Sequence, residues 1–301
     1  MTQILSINPN SGYLPTGQRV LIPTSSIVFL PMFGEQELRG WSVKGEGGDV
    51  IWPKHFLPAD IPNARILAHG YHKDAGPGDY ETDADHLCEK LKENRSGDTA
   101  LRPIVIVAHS LGGILAAKVM MKGDESISNR VQGLAFFATP FQGSKDKGLP
   151  DILKSIMKTC GLDFPNDDFT KEIEVLEGLR KALSNRRTGV KLRSFSEESN
   201  GIVDYDAATM RGIPRHKVGV IKKDHISICK FESKEECYPS VIDELRMLAE
   251  VKPADTARTG MTNYGHIGNL ATRDIIGGAH SENHGTVNYG PQTHHHSVLK
   301  K

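Results

Sequence analysis

Val105-Ile106-Val107-Ala108-His109-Ser110-Leu111-Gly112-Gly113 is a β-branched apolar run that stops abruptly at a serine set among small residues. The residues before the serine, from Pro103 to Ala108, have the continuous Val/Ile content of a strand buried on both faces. The residues after it, Leu111 to Lys122, place Ile114, Leu115, Val119 and Met120 on one helical stripe. A serine hydroxyl is a weak nucleophile unless it is held out beside a base. A sharp strand-to-helix turn holds it so, and such a turn needs small residues two positions before and two after the serine. Ala108 and Gly112 occupy those positions. Glycine is usual at the first of them; alanine adds one methyl group and is a mild departure. Ser110 is therefore the candidate nucleophile, and the N–H of Leu111 is the first candidate oxyanion donor.

Further strands are expected at Ile27–Leu30, Ala64–Ala68, Gly133–Ala138, Gly189–Phe195 and His216–Ile221, with helices at Glu81–Asn94 and Tyr238–Val251. Strands alternating with helices predict a mainly parallel sheet covered on both faces. Together with the elbow, this predicts the α/β-hydrolase fold over residues 1–251. Residues 144–188 read as helical and are long for a crossover, which fits either a cap over the site or an ordinary pair of packing helices. In this fold the acid and then the histidine follow the serine along the chain. His225 lies just past the last expected strand, at the edge where ligands of open α/β sheets bind. His216, at the start of a strand, and His109, under the turn, are weaker candidates. The acid is expected after the strand Gly189–Phe195: Glu197 is preferred, with Glu198, Asp204 and Asp206 as alternatives. The second oxyanion donor is expected from Leu30-Pro31-Met32-Phe33-Gly34, at Phe33 or Met32.

The chain has 301 residues, 37 Lys plus Arg against 37 Asp plus Glu, and four cysteines without a C-x-x-C pair. A net charge of zero argues against general nucleic-acid binding, which needs excess cations to displace counterions. The sparse cysteines suit reduced thiols in a cytoplasmic protein and no metal site. Neither a signal peptide nor a membrane-spanning run is expected, and no cofactor is implied.

The blocks Ile27–Gly34, Trp52-Pro53 with Leu57-Pro58, Ala64-Arg65-Ile66-Leu67 with Gly70-Tyr71, Ala108–Gly113, Ala138–Ser144, Ser194–Glu197 and Asp224-His225 to Cys229-Lys230-Phe231 occur in that order. Over roughly residues 20–250 the chain resembles the lipase-like α/β-hydrolases fused to NTPase receptors in filamentous fungi, relatives of the serine-active-site-containing lipase-like family. The resemblance implies an ester or lipid substrate, with Ser110 as nucleophile, His225 as base and Glu197 as acid. One departure stands out. The family has His-Gly where this chain has Pro31-Met32. Proline lacks an N–H and restricts the residue before it, so activity could be reduced, narrowed or lost. His69-Gly70 is a poor substitute because of its place in the strand order.

After residue 251 the composition changes. Residues 252–260 read as a linker, and residues 261–291 hold six Gly and four Asn but only three charged residues. Asn263-Tyr264-Gly265-His266-Ile267 and Asn283-His284-Gly285-Thr286-Val287, followed by Asn288, share a pattern twenty residues apart. Glycine permits tight turns, asparagines can stack in hydrogen-bonded ladders, and Ile or Val fills a dry interior. Composition alone equally suits a flexible, disordered tail. The segment resembles the sigma-type prion-forming motif of SesB-like fungal effectors. That resemblance implies self-assembly, a NACHT- or NB-ARC-type receptor carrying a matching motif, a role in cell death, and membrane contact on activation as an open question. Residues 292–301, with His294-His295-His296, read as a flexible tail.

Overall fold

The computed structural model describes residues 4–6, 24–45, 47–71, 79–95, 97–122, 124–162, 168–185, 189–198 and 200–249. In chain order the elements are β1 (Ile4–Ser6), β2 (Ser25–Leu30), β3 (Ser42–Gly45), β4 (Gly48–Ile51), α1 (Trp52–His55), α2 (Leu57–Asp60), β5 (Ala64–His69), α3 (Tyr80–Glu93), β6 (Ile104–His109), α4 (Gly112–Met121), α5 (Glu125–Ser128), β7 (Val131–Phe137), α6 (Leu149–Thr159), α7 (Thr170–Asn185), β8 (Lys191–Ser196), β9 (Lys217–Val220) and α8 (Tyr238–Leu248). Among the described residues seven strands form one sheet in the order β1-β5-β2-β6-β7-β8-β9, and β3 pairs with β4 in a separate hairpin. All neighbours in the large sheet are parallel except β1, which runs antiparallel to β5. This is the α/β-hydrolase fold.

The six expected strands are all present, with ends shifted by a few residues. Strand β1 and the β3–β4 hairpin were not anticipated. Strands β2, β5 and β6 are buried at every position, as a sheet covered on both faces requires. The helix α3 begins at Asp79, whose side chain accepts a hydrogen bond from the Thr82 N–H at 3.2 Å. That bond satisfies one of the donors left free at any helix start. Beneath the sheet edge an aromatic cluster joins distant segments: Trp52 meets Phe29 at 5.3 Å, Phe231 at 5.4 Å and Tyr238 at 5.9 Å between ring centroids, each in an edge contact. Buried aromatic side chains remove large apolar areas from water and favour such edge geometry.

The order of strands decides which loops meet. Strand β2 lies directly beside β6, with Leu30 paired to Ala108, so the loop after Leu30 arrives at the turn after His109. Strand β5 lies on the far side of β2, which keeps His69-Gly70 one strand away from that turn. The segment 144–188, expected as either a cap or a pair of packing helices, divides in two. Helix α7 packs on α4, with Gly178 so close to Met121 that a Cβ there would stand 2.3 Å from the methionine Cε. The end of α6 reaches the loop after β2 instead: the Cys160 Sγ is 3.0 Å from the Met32 Sδ, and Leu162 lies against Gly34. The linker 252–260, the motif 261–291 with Asn263, Tyr264, Gly265, Ile267, Asn283, Gly285, Val287 and Asn288, and the tail 292–301 all lie outside the described residues.

Candidate active site

Ser110 sits between β6 and α4 with φ +54°, a left-handed conformation that a non-glycine residue adopts only at a cost of about 1–3 kcal/mol. Its surroundings hold it there. Its N–H donates to the Phe137 carbonyl at 2.8 Å, and its carbonyl accepts from the Gly113 N–H at 3.0 Å. The Thr139 hydroxyl donates to the same carbonyl at 2.9 Å. The two glycines are required by contact. A Cβ on Gly112 would stand 2.5 Å from the Pro31 carbonyl oxygen, and one on Gly113 would stand 2.3 Å from the Thr139 Cγ2. Gly113→Ala is therefore expected to destabilise the protein by about 3 kcal/mol through overpacking. A urea midpoint equal to that of the wild type would contradict this.

The Ser110 Oγ lies 2.7 Å from the His225 Nε2, and the His225 Nδ1 lies 2.8 Å from the Glu197 Oε1. A carboxylate only accepts, so Nδ1 carries the proton and Nε2 is free to accept from the serine hydroxyl. Two further donors fix the carboxylate. The Val203 N–H donates to Oε1 at 3.1 Å, and the Ile202 N–H donates to Oε2 at 3.0 Å. The turn that brings them depends on Gly201, where a Cβ would stand 2.4 Å from the Glu197 Cβ. The three side chains are buried, with Ser110 0%, His225 2% and Glu197 3% exposed. Burial in low dielectric strengthens each of these bonds.

The other acid candidates are placed elsewhere. Glu198 is half-exposed, with its carboxylate 4.0 Å from Lys222. The Asp204 carboxylate accepts from the Ala207 N–H at 2.9 Å and so closes a turn. Asp206 is exposed. His216 is also accounted for: its Nδ1 accepts from the Met210 N–H at 3.1 Å, and its Nε2 donates to the Ser194 Oγ at 2.9 Å.

The segment carrying His225 is anchored along its length. The Asp224 carboxylate accepts from the Ile226 and Ser227 N–H groups at 3.0 and 2.8 Å. The Trp52 indole N–H donates to the Cys229 carbonyl at 2.8 Å, and the Cys229 thiol donates to the Gly40 carbonyl at 3.3 Å. Burial pushes the Cys229 thiol from 9.0 up to about 12, so it is a packing group and not a nucleophile. The Lys223 ammonium donates to the Lys230 carbonyl at 2.6 Å and lies 5.1 Å over the Phe231 ring. The block from Asp224 to Phe231 is thus a clamp around the His225 ring.

At the oxyanion side, among the described residues neither the Leu111 nor the Phe33 N–H has an acceptor. The Pro31 carbonyl accepts from the Tyr71 hydroxyl at 3.1 Å, and the Phe33 ring packs on Tyr71 at 4.8 Å and Tyr80 at 6.0 Å. These contacts fix the loop without using a His-Gly pair. A groove of about 580 Å³ opens beside His225, lined also by Thr159 of α6, Glu197, Asn200 and Lys222 among others. Another groove, of about 600 Å³, runs between the β3–β4 hairpin and the segment from Phe231 to Glu236 and does not touch Ser110, His225 or Glu197.

Three of the buried histidines, His69, His109 and His216, set an acid limit on the fold. Burial is the first cause in each case, and it lowers His69 and His216 from 6.5 to about 4 and His109 to about 3. The unfolded chain binds more protons than the folded one between those values and the ordinary 6.5, so stability is lost as pH falls through that window. The slope approaches about 4 kcal/mol per pH unit where all three titrate together. The melting temperature is expected to drop steeply from pH 6.5 to pH 4; a flat profile would contradict the burial of these rings.

Fold and site together define an α/β-hydrolase architecture with a serine, a histidine and a glutamate in hydrogen-bonded sequence. The family model described as "Serine aminopeptidase, S33" matches residues 68–214, which include Ser110 and Glu197 and stop short of His225. The chain is similar to Protein SERAC1 of Danio rerio, 24% identical over 213 residues, covering 61% of this chain and 31% of that protein. It is 30% identical over 106 residues to Protein SERAC1 of Bos taurus, covering 32% of this chain and 16% of that one. The chain thus spans about a third or less of the curated relatives it matches. Among solved structures, the lipase BlEst2 of Bacillus licheniformis superposes with a TM-score of 0.50 at 16% identity, over 79% of this chain and 97% of the lipase, a likeness in fold. Among the described residues no helix is long and apolar enough to cross a membrane.

Proposed function

We propose that residues 20–250 form a serine ester hydrolase. Ser110 attacks the ester carbonyl, and His225 takes its proton and returns it to the leaving alcohol. Glu197 holds the imidazole in the required tautomer, and the Leu111 and Phe33 N–H groups receive the oxyanion. The observation that carries this reading is the continuous pair of contacts, 2.7 Å from Ser110 to His225 and 2.8 Å from His225 to Glu197. The test is hydrolysis of p-nitrophenyl esters of stepped acyl length beside matched arylamides. Ester cleavage that depends on acyl length supports a lipase-like enzyme. Faster cleavage of the amides would favour a peptidase, the activity in the matching family model's name. No turnover of either class would contradict the reading.

The tail adds a second part to the proposal. Residues 261–291 assemble into a stacked β structure, templated by a cytoplasmic NACHT- or NB-ARC-type receptor that carries a matching motif, and so cluster the hydrolase in cell-death signalling. The repeated Asn-aromatic-Gly-x-β-branched pattern supports this reading. A peptide of residues 261–291 that stays monomeric and never binds thioflavin would count against it. Pro31-Met32 favours one rival: a body with weak or no turnover that signals by assembly alone. Cell killing that persists in Ser110→Ala would favour that rival.

A further inference from the structure

We propose that His109 is a positioning residue for the base, tethering the His225 backbone to the strand end that carries the nucleophile. The inference rests on the reading of Ser110 and His225 as nucleophile and base. The His109 Nε2 lies 2.7 Å from the His225 carbonyl oxygen, across 116 residues of sequence. A carbonyl only accepts, so Nε2 carries the proton and donates. Two adjacent residues thus hold both ends of the proton transfer: Ser110 presents the hydroxyl, and His109 fixes the main chain of the group that receives it.

The His109 ring has little freedom to leave. It is buried, its centroid is 5.5 Å from that of His225, and it meets the edge of Trp41 at 6.4 Å. Trp41 in turn packs on Phe29, Trp52 and Phe137. In this tautomer the His109 Nδ1 is an acceptor only, and among the described residues it has no hydrogen-bond partner. The indole N–H of Trp41, a donor only, is likewise unpaired. The two rings in edge contact therefore carry complementary groups. Burial first, and then the titratable His225 and Lys230, oppose protonation of His109, outweighing the bond to the His225 carbonyl, which favours it. The ring stays neutral and keeps one tautomer across the working pH range. The other anchors of the His225 segment act on Asp224, Cys229 and Lys230. Small displacements of a reacting group cost about 100-fold in rate, which gives a tether on the base itself a direct effect on turnover.

The test compares wild type, Ser110→Ala, His109→Leu and His109→Gln as full chains, with folding checked by thermal melts. His109→Leu is expected to lower kcat about 10- to 100-fold at nearly constant KM. His109→Gln, which keeps an N–H donor at similar reach, is expected to recover most of the loss. Unlike a general packing defect, this pattern separates kcat from KM and is rescued by the donor. Activity that vanishes in Ser110→Ala but is unchanged in His109→Leu would overturn this inference and leave the catalytic reading standing. A wild type without turnover would overturn both. Nitrogen-15 spectra of labelled wild type give a check independent of activity and of whether His109→Leu folds. His109 is expected as the neutral Nε2–H tautomer from pH 5 to pH 9, and a ring that titrates near 6.5 or carries its proton on Nδ1 would overturn the tether.

Discussion

Replacing Ser110 with alanine is expected to lower kcat for ester hydrolysis by on the order of 10⁵-fold while leaving the fold in place. The size follows from the site's cooperative build. His225 and Glu197 act only through the serine hydroxyl, so losing that oxygen disables the whole set, and what survives is the background from substrate binding and the oxyanion donors. The substitution is mild structurally. Alanine keeps the Cβ at φ +54°, and the bonds from Phe137, Gly113 and Thr139 to this residue all involve its main chain. The elbow therefore survives without its hydroxyl. Stopped-turnover assays beside thermal melts check both halves. Activity within about tenfold of wild type in a folded Ser110→Ala protein would remove the serine from the mechanism.

Glu197→Gln is expected to cost about 10⁴-fold in kcat, and the equivalent amide changes at Glu198, Asp204 and Asp206 are expected to leave kcat within about threefold. The difference lies in the donors. Three N–H groups converge on the Glu197 carboxylate: His225 Nδ1 and Val203 on one oxygen, Ile202 on the other. An amide has a single acceptor oxygen. If that oxygen faces His225, the amide NH₂ meets the Ile202 N–H, two donors with no acceptor between them, which costs about 1–3 kcal/mol. If the NH₂ faces His225, the imidazole must accept at Nδ1 and carry its proton on Nε2, where it cannot receive one from Ser110. The second arrangement removes the acceptor for the serine proton, and the first keeps it only by burying an unpaired donor. A kcat loss that appears with Asp204→Asn or Asp206→Asn instead would move the acid.

The elbow was legible in the sequence because its constraints are local. A buried strand, a serine and two contact glycines fall within nine residues, and the contacts that forbid a side chain at Gly112 and Gly113 explain that pattern. His225 was legible through chain order, and its block of Asp224, Cys229, Lys230 and Phe231 now has a physical basis in the bonds that hold the loop. Choosing Glu197 over its neighbours was harder, because the choice depends on a turn at Gly201 that wraps two N–H groups over one carboxylate. The hydrogen bonds of His109 and Thr139 were not legible. Their bonds cross 116 and 29 residues, and a histidine before the serine carries no local mark of its partner. The β3–β4 hairpin escaped because its strands are four residues each, although the cluster of glycines between Gly45 and Gly48 is a turn signal. The departure at Pro31-Met32 reads differently in three dimensions. The proline contributes its carbonyl, held by Tyr71 and set against Gly112, while among the described residues the Phe33 N–H has no acceptor.

The central claim is that this chain carries out covalent chemistry at one hydroxyl. Reaction of the full chain with a fluorophosphonate, followed by mass spectrometry of its proteolytic peptides, addresses it directly. One phosphonyl group is expected on the peptide containing Ser110, absent after Ser110→Ala and slowed by Glu197→Gln. Stoichiometric labelling at any other residue, or none on the folded wild type, would contradict the account.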